Sequence, residues 1–385
     1  MRSFKHITPP LRLFSGPDSL ESLGRELERI GSRRAVVFGG PWAEGPLLDA
    51  VRGGMRQRCA GAFMDVVAHS PLASVEAAAK ELGRLEADAV VALGGGSSIV
   101  TARAASILLA EKGDPRSLCT ARGADGQLRS PRLSAPKLPQ LVVPTTPTTA
   151  MVKAGSAIFV PATGERLALF DPKTRAHAIF IDPDLIRSAP RELAVSASLN
   201  TYSMAIEGLM SRQGDPIADA LLMHALRLLA QHLRDGATID AAEAREELVL
   251  AAVLCGQGTD YTSAGITTVL GHAVGARHGI ENGIVNAIVL PHALRFNAAA
   301  ARAGLSKVAT GMGLAERSEP LGAVVDAVGA MLDALGAPRR LRDVGVSREA
   351  LADVAAKAMG DWFLRGNPRP VRDASELLQL LGDAL

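Results

Sequence analysis

The stretch Val90–Ala105 reads VVALGGGSSIVTARAA. A short apolar run ends in Gly94-Gly95-Gly96-Ser97, and a helical pattern starts at once. Glycine lets a backbone approach a pyrophosphate with no Cβ in the way. A helix start offers free N–H groups and the positive end of its dipole. These residues therefore predict a phosphate cradle, with a plain tight turn as the competing reading. After a later apolar run comes PTTPTT, Pro144–Thr149. At the carboxyl end of a parallel sheet, the hydroxyls of Thr145, Thr146 and Thr149 can hydrogen-bond a nucleotide; equally, they can cap a turn. A third cluster, Arg277-His278-Gly279-Ile280-Glu281-Asn282, reads as a loop between helices. There Arg277 and His278 either hold a substrate carboxylate or close a helix whose dipole favours cations at its end.

These residues need elements to hold them. Arg34–Gly40, Ala87–Leu93, Leu138–Pro144 and Ala178–Asp182 are short apolar runs, and Pro71–Glu86 is an amphipathic helix pattern. Continuous apolar strands between helices predict a parallel sheet covered on both faces. The expected fold class is a doubly wound α/β dinucleotide-binding domain over 1–183. From Pro183 the strand signals stop. Ala- and Leu-rich helical spacing then predicts an all-helical domain over 184–385. Within the first domain, between a helix and the strand at Leu138, lies Gly113–Lys137, rich in Pro, Gly, Ser and Arg; it reads as a solvated loop or as a lid over an anionic ligand.

Composition narrows the classes. A net charge of +2 with 3% aromatics gives neither the electrostatic footprint nor the stacking surface of a nucleic-acid binder. Cys59, Cys119 and Cys255 are far apart with no CxxC, which argues against disulfides and thiolate zinc and fits a cytoplasmic setting. No apolar run is long enough to span a membrane, and MRSFKHITPP has no signal-peptide core.

The order GGGS, VVPTT, AIEG, GHAVG…NAIVLPHALRFN and GNPRP resembles the iron-containing alcohol dehydrogenase family over nearly the whole chain. LPHALRFN, Asn200 and GAPRRLRDVGV look most like its maleylacetate reductase branch. The resemblance implies a nicotinamide cofactor on the N-terminal domain, a helical second domain, a site in the cleft between them, and a homodimer. The apolar Leu11–Phe14 segment is a candidate for pairing at a sheet edge. Val100 stands where the family turn GGGSxxD has its acid. Gly40 stands where many NAD-using members carry an Asp against the ribose. Loss of that carboxylate removes repulsion of a 2′-phosphate, so NADP is slightly favoured over NAD.

The family holds its metal with an Asp and a His four apart on one helix and two further His fourteen apart. Here those positions are Asn200, Met204, Thr268 and Asn282. Neutral amides, a hydroxyl and a thioether are a poor set for iron or zinc. The resemblance thus implies a site without metal, in which these four residues line a pocket for a small or carboxylate-bearing substrate. His272 matches a family histidine beside the reacting centre. Tyr261, Gly265, Thr268 and His272 are spaced 4, 3, 4, one face if the helix is continuous. His272 and Tyr261 are therefore the expected catalytic acid/base pair, against a structural histidine and tyrosine. Lys153 is either a phosphate or substrate contact or a surface residue. The expected function is a metal-independent NAD(P)-dependent oxidoreductase acting on a small alcohol or carbonyl, including a β-hydroxy acid that decarboxylates once oxidised. The alternative is a catalytically silent or non-redox partner on the same scaffold.

Overall fold

Runs of Val, Ala, Leu and Ile in the first half become a six-stranded sheet in which every paired neighbour is parallel. The computed structural model describes residues 3–123 and 127–385. They divide into two compact units. One is Pro9–Ala189; the other is Pro190–Leu385 together with the N-terminal arm ending at Thr8.

In the first unit the order is β1 Arg12–Ser15, α1 Glu21–Arg29, β2 Ala35–Phe38, α2 Pro46–Met55, β3 Cys59–Phe63, α3 Leu72–Arg84, β4 Ala89–Gly94 and α4 Gly96–Ala110. There follow β5 Ala121–Arg122, β6 Leu128–Arg129, β7 Gln140–Pro144, β8 Gly155–Val160, β9 Glu165–Phe170, β10 Ala176–Ile181 and the short α5 Pro183–Arg187. The sheet order is β1-β10-β7-β4-β2-β3. From β2 the chain goes to one side for β3 and returns to the other for β4. The strand order therefore reverses between β2 and β4, where ligands of such sheets bind at the carboxyl ends. Ala35, Val37, Val91, Leu93, Leu141, Val143 and Phe180 are fully buried in its core.

The doubly wound expectation holds, with β2, β4 and β7 shorter than their apolar runs and β10 starting two residues earlier than its run. The Leu11–Phe14 segment, read as a candidate for a sheet edge, overlaps the edge strand β1, whereas β3 and the antiparallel hairpin β8–β9 were not anticipated. Gly113–Lys137 is also less loose than its composition suggests. It contains a 3-10 turn at Pro115–Leu118 and the small hairpin β5–β6; positions 124–126 lie outside the described residues. Lys137, expected as a surface or lid cation, has a fully buried side chain. Its ammonium bonds Glu111 (2.7 Å), Asp171 (3.1 Å) and the Ala135 carbonyl (2.7 Å).

The second unit is helical: α6 Arg191–Met210, α7 Pro216–Leu233, α8 Ala242–Thr262, α9 Ile266–His278, α10 Asn282–Asn297, α11 Arg302–Gly311, α12 Leu321–Ala334, α13 Leu351–Ala358 and α14 Ala374–Asp383. Among the described residues, no helix is long and apolar enough to cross a membrane. Glycines set the helix contacts that matter most. A Cβ on Gly271 would collide with the Asn286 side chain, one on Gly275 with Asn282, and one on Gly283 with the Ser196 carbonyl. The GHAVG motif thus lets α9 lie tight against α10, and Gly283 lets α10 lie tight against α6.

Candidate active site

The glycine turn is built as its sequence suggests. β4 ends at Gly94, which has φ +133°, and α4 starts at Gly96. The first N–H groups of α4 have no intrahelical acceptor, as at any helix start. PTTPTT follows the neighbouring strand β7. A Cβ on Gly95 would stand 2.8 Å from Thr146 Oγ1, and one on Gly96 would stand 3.3 Å from Thr148 Oγ1. The threonine segment therefore faces the turn at the distance that only glycine permits. Thr145, Thr146 and Thr149 are all buried. Arg103 of α4, fully buried, ties this region together: it donates to the carbonyls of Ala150 (2.7 Å) and Gly155 (2.8 Å). Ser97 is less available than expected, because its Oγ accepts from the His69 N–H (3.1 Å). Lys153 closes the 3-10 turn Thr149–Val152. A carboxyl-end cradle at the strand reversal, floored by glycines that a side chain would fill, fits a dinucleotide phosphate.

Gly40 lies just beyond β2, as the start of a 3-10 turn, Pro41–Ala43. Sequence reasoning passed over its neighbour Trp42. A Cβ on Gly40 would run into the indole, and one on Gly94 would be 3.0 Å from its Cζ2. The indole thus covers both glycines.

In the helical unit, two of the positions of the family's metal ligands touch directly. Asn200 Nδ2 reaches Met204 Sδ (3.6 Å) on α6. The Asn286 amide, not anticipated from sequence, lies within 3.0–3.1 Å of Asn200 Oδ1, Thr267 O and Asn282 O. Met204 is buried and Asn200 half-buried. Thr268 has a different partner. Its hydroxyl donates to Glu207 Oε2 (2.6 Å), and its N–H reaches the same oxygen (3.2 Å); Thr267 N–H donates to Oε1 (2.5 Å). Glu207, from the AIEG motif, is thus the buried cap of α9. Burial pushes its pKa up, and the hydrogen bonds from the threonines only partly offset this. Thr268 was expected to meet substrate; its hydroxyl hydrogen is instead committed to this cap. Among the described residues, no group of three or more His, Cys, Asp or Glu is placed to hold a metal. The donors at the four family positions do not fit one.

The expected helical face does not exist. α8 ends at Thr262, and Ser263, at φ 69° and ψ −176°, turns the chain before α9 begins at Ile266. Tyr261 and His272 therefore sit on different helices. Tyr261 serves the N-terminal arm: its ring stacks on His6 (centroids 3.9 Å apart), and its hydroxyl donates to the Ile7 carbonyl while accepting from the Ile7 N–H. His6 is held in turn by Asp215 (3.0 Å). This corrects the expectation of Tyr261 as a catalyst, since both its ring and its hydroxyl have structural partners.

His272 keeps a setting suited to proton exchange. Its Nδ1 lies 3.1 Å from Asp361 Oδ2, with the two side chains 15% and 11% exposed, and the Phe363 ring packs beside it. A carboxylate only accepts, so Nδ1 carries the hydrogen and Nε2 is the nitrogen without one in the neutral ring. Asp361 is fixed by the Phe363 N–H (2.9 Å). No spacing rule pointed to Asp361 from the sequence.

Arg277 and His278 are not loop residues; they form the last turn of α9, which Gly279 ends in the left-handed conformation. Arg277 is ion-paired with Asp353. Burial and the Arg277 charge hold the His278 pKa low. The geometry therefore carries the helix-end reading rather than the carboxylate grip. Asn282 begins α10 beside Gly275.

Comparison with known proteins agrees with this architecture. Residues 10–183 match the family model for iron-containing alcohol dehydrogenase, and residues 194–385 match the C-terminal model of the same family. The chain is 28% identical over 381 residues to maleylacetate reductase of Sphingobium indicum, covering 98% of this chain and 96% of that one. It is 32% identical over 290 residues to lactaldehyde reductase of Escherichia coli, covering 74% and 73%. A crystal structure of sulfoacetaldehyde reductase from Bifidobacterium kashiwanohense in complex with NAD+ shares the fold, with a TM-score of 0.86 over 100% of this chain and 99% of that one at 20% identity. This chain belongs to the iron-containing alcohol dehydrogenase family of oxidoreductases.

Proposed function

We propose that this family member works without a metal, transferring hydride between a nicotinamide dinucleotide and a small carbonyl or alcohol, carboxylate-bearing substrates included. The carrying observation is the pair of arrangements in the helical unit. The family's ligand positions hold neutral groups: Asn200 meets Met204 and the Asn286 amide, that amide also meets the Asn282 carbonyl, and Thr268 is bound to Glu207, while His272 remains oriented by Asp361. Two relatives, a maleylacetate reductase and a lactaldehyde reductase, support reduction of a small carbonyl as one direction.

The dinucleotide supplies or accepts the hydride when bound at Gly94–Ser97 and the threonine segment. His272 Nε2 gives a proton to the substrate oxygen during reduction and takes it back during oxidation; Asp361 stabilises the imidazolium between those events. Asn200 and Asn282 offer neutral amide donors in place of a Lewis acid, which suits carbonyls already polarised by conjugation or a nearby carboxylate. Gly40 leaves no carboxylate to repel a 2′-phosphate, so the reading includes NADPH as the slightly preferred cofactor. It also includes a homodimer across the outer edge of β1, which among the described residues pairs with β10 alone.

The test is elemental analysis and turnover on protein purified without chelator. Metal should be far below one equivalent per chain, and NAD(P)H-dependent reduction of a small keto acid or aldehyde panel should survive dialysis against EDTA. Stoichiometric iron or zinc whose removal abolishes turnover would overturn the metal-free mechanism. Dinucleotide binding with no turnover of any panel member would point to the silent partner.

A further inference from the structure

We infer that the Trp42 indole is the platform on which the adenine base of the dinucleotide stacks. This rests on the reading that the dinucleotide lies at the glycine cradle. Trp42 follows β2 by four residues, at the strand reversal between β2 and β4. In sheets of this kind the pyrophosphate sits on the helix after one strand and the adenosine ribose lies by the end of its neighbour. Gly40 occupies that ribose position here, and Trp42 is two residues beyond it.

Three physical features make the indole a platform rather than a stray surface aromatic. First, it is 54% exposed, the most exposed aromatic side chain among the described residues. Second, its exposure is built in. Gly40 and Gly94 lack the Cβ atoms that would lift it away, so the Nε1–Cζ2 edge packs on backbone while much of the ring remains open. Third, its turn is stiffened by Pro41 and by the Ala43 N–H donating to the Gly40 carbonyl (2.9 Å). A flat, pre-positioned ring beside a phosphate-binding helix start is suited to a purine. Stacking needs only a π-face and is indifferent to what the ribose carries. The residue pair Gly40 and Trp42 thus replaces a polar grip on ribose hydroxyls with an apolar grip on the base. The consequence is a cofactor site that discriminates little between NADH and NADPH.

Binding, not activity, tests this. Wild type, W42L and W42F are titrated calorimetrically with NADH, NADPH, 5′-AMP and reduced nicotinamide mononucleotide. Trp42 emission is followed in parallel in a W362F background, which leaves one tryptophan of the two. W42L should weaken NADH, NADPH and 5′-AMP by a common factor of roughly ten to one hundred, the usual worth of one base stack. It should leave the nicotinamide mononucleotide unchanged. W42F should retain most of the affinity, and 5′-AMP should quench Trp42 emission. Equal 5′-AMP affinity in wild type and W42L overturns the platform while leaving the cofactor reading intact. Loss confined to the nicotinamide mononucleotide overturns it too, by placing the indole at the other end. If wild type binds none of the four, the cradle reading falls and the platform with it.

Discussion

His272 and Thr268 lie one helical turn apart on α9, yet their neighbours give them different work. Thr268 is bound through both hydroxyl and N–H to Glu207 and so belongs to the cap of its own helix. His272 faces Asp361, which can only accept, and this fixes its tautomer. His272→Ala is expected to lower turnover by roughly 10²–10⁴-fold, the usual worth of a general acid/base. Dinucleotide affinity should hold, since the glycine turn belongs to the other unit. Asp361→Asn should lower kcat with the cofactor dissociation constant unchanged. Because Asp361 acts through His272, the double variant should be no slower than His272→Ala alone. Steady-state kinetics with parallel cofactor titration checks all three proteins. An additive loss in the double variant would separate Asp361 from the histidine, and unchanged turnover in His272→Ala would remove it as the acid/base. The imidazole was legible in the sequence because a resemblance marked its position. Asp361 was not, because the contact joins residues 89 apart.

The corner between α8 and α9 shows why element boundaries escaped the sequence. Helical spacing continued through Tyr261, Gly265, Thr268 and His272, and nothing local forbade one long helix. Tertiary partners break it: Glu207 of α6 captures the N–H groups that start α9, and Asn367 Oδ1 accepts from Ile266 N (3.2 Å). Gly366 makes room as well, since a Cβ there would meet Ser263 Oγ at 2.6 Å. Ser263 is left at φ 69° and ψ −176°, a region suited to glycine and costly for other residues by about 1–3 kcal/mol. Ser263→Gly should therefore stabilise the protein by about 1 kcal/mol, offset in part by added freedom in the unfolded chain. Urea unfolding would show this as a raised midpoint; a lowered one would mean that the serine side chain contributes more than the strain costs. The same corner explains two motifs that looked independent. Asn297, ending NAIVLPHALRFN, and Asn367 of GNPRP exchange amide hydrogen bonds at 3.1 and 2.7 Å, both fully enclosed. Their types were readable; their meeting was not. The central parallel strands β2, β4, β7 and β10, by contrast, were legible because each is a mostly apolar, buried run that ends near glycine or proline.

At the scale of the molecule, the chain passes between its two units twice, after Thr8 and after Ala189. Both termini thus belong to the helical unit, and the whole α/β unit is a guest spliced into a host whose first element is the short arm. The clasp at His6, Asp215 and Tyr261 ties the arm to the rest of the helical unit without a covalent bond. His6→Ala removes the stack and the Asp215 contact, together worth about 1–3 kcal/mol. Native-state trypsin cleavage after Lys5 should then accelerate roughly 5- to 100-fold, read by mass spectrometry of the released N-terminal peptide. An unchanged rate would mean that the arm is held by something other than this clasp. A guest so spliced also marks where the chain can be rejoined. A circular permutant opened within the α/β unit would cut the guest, whereas one that links Leu385 to the arm and opens at 189/190 would keep both host and guest whole.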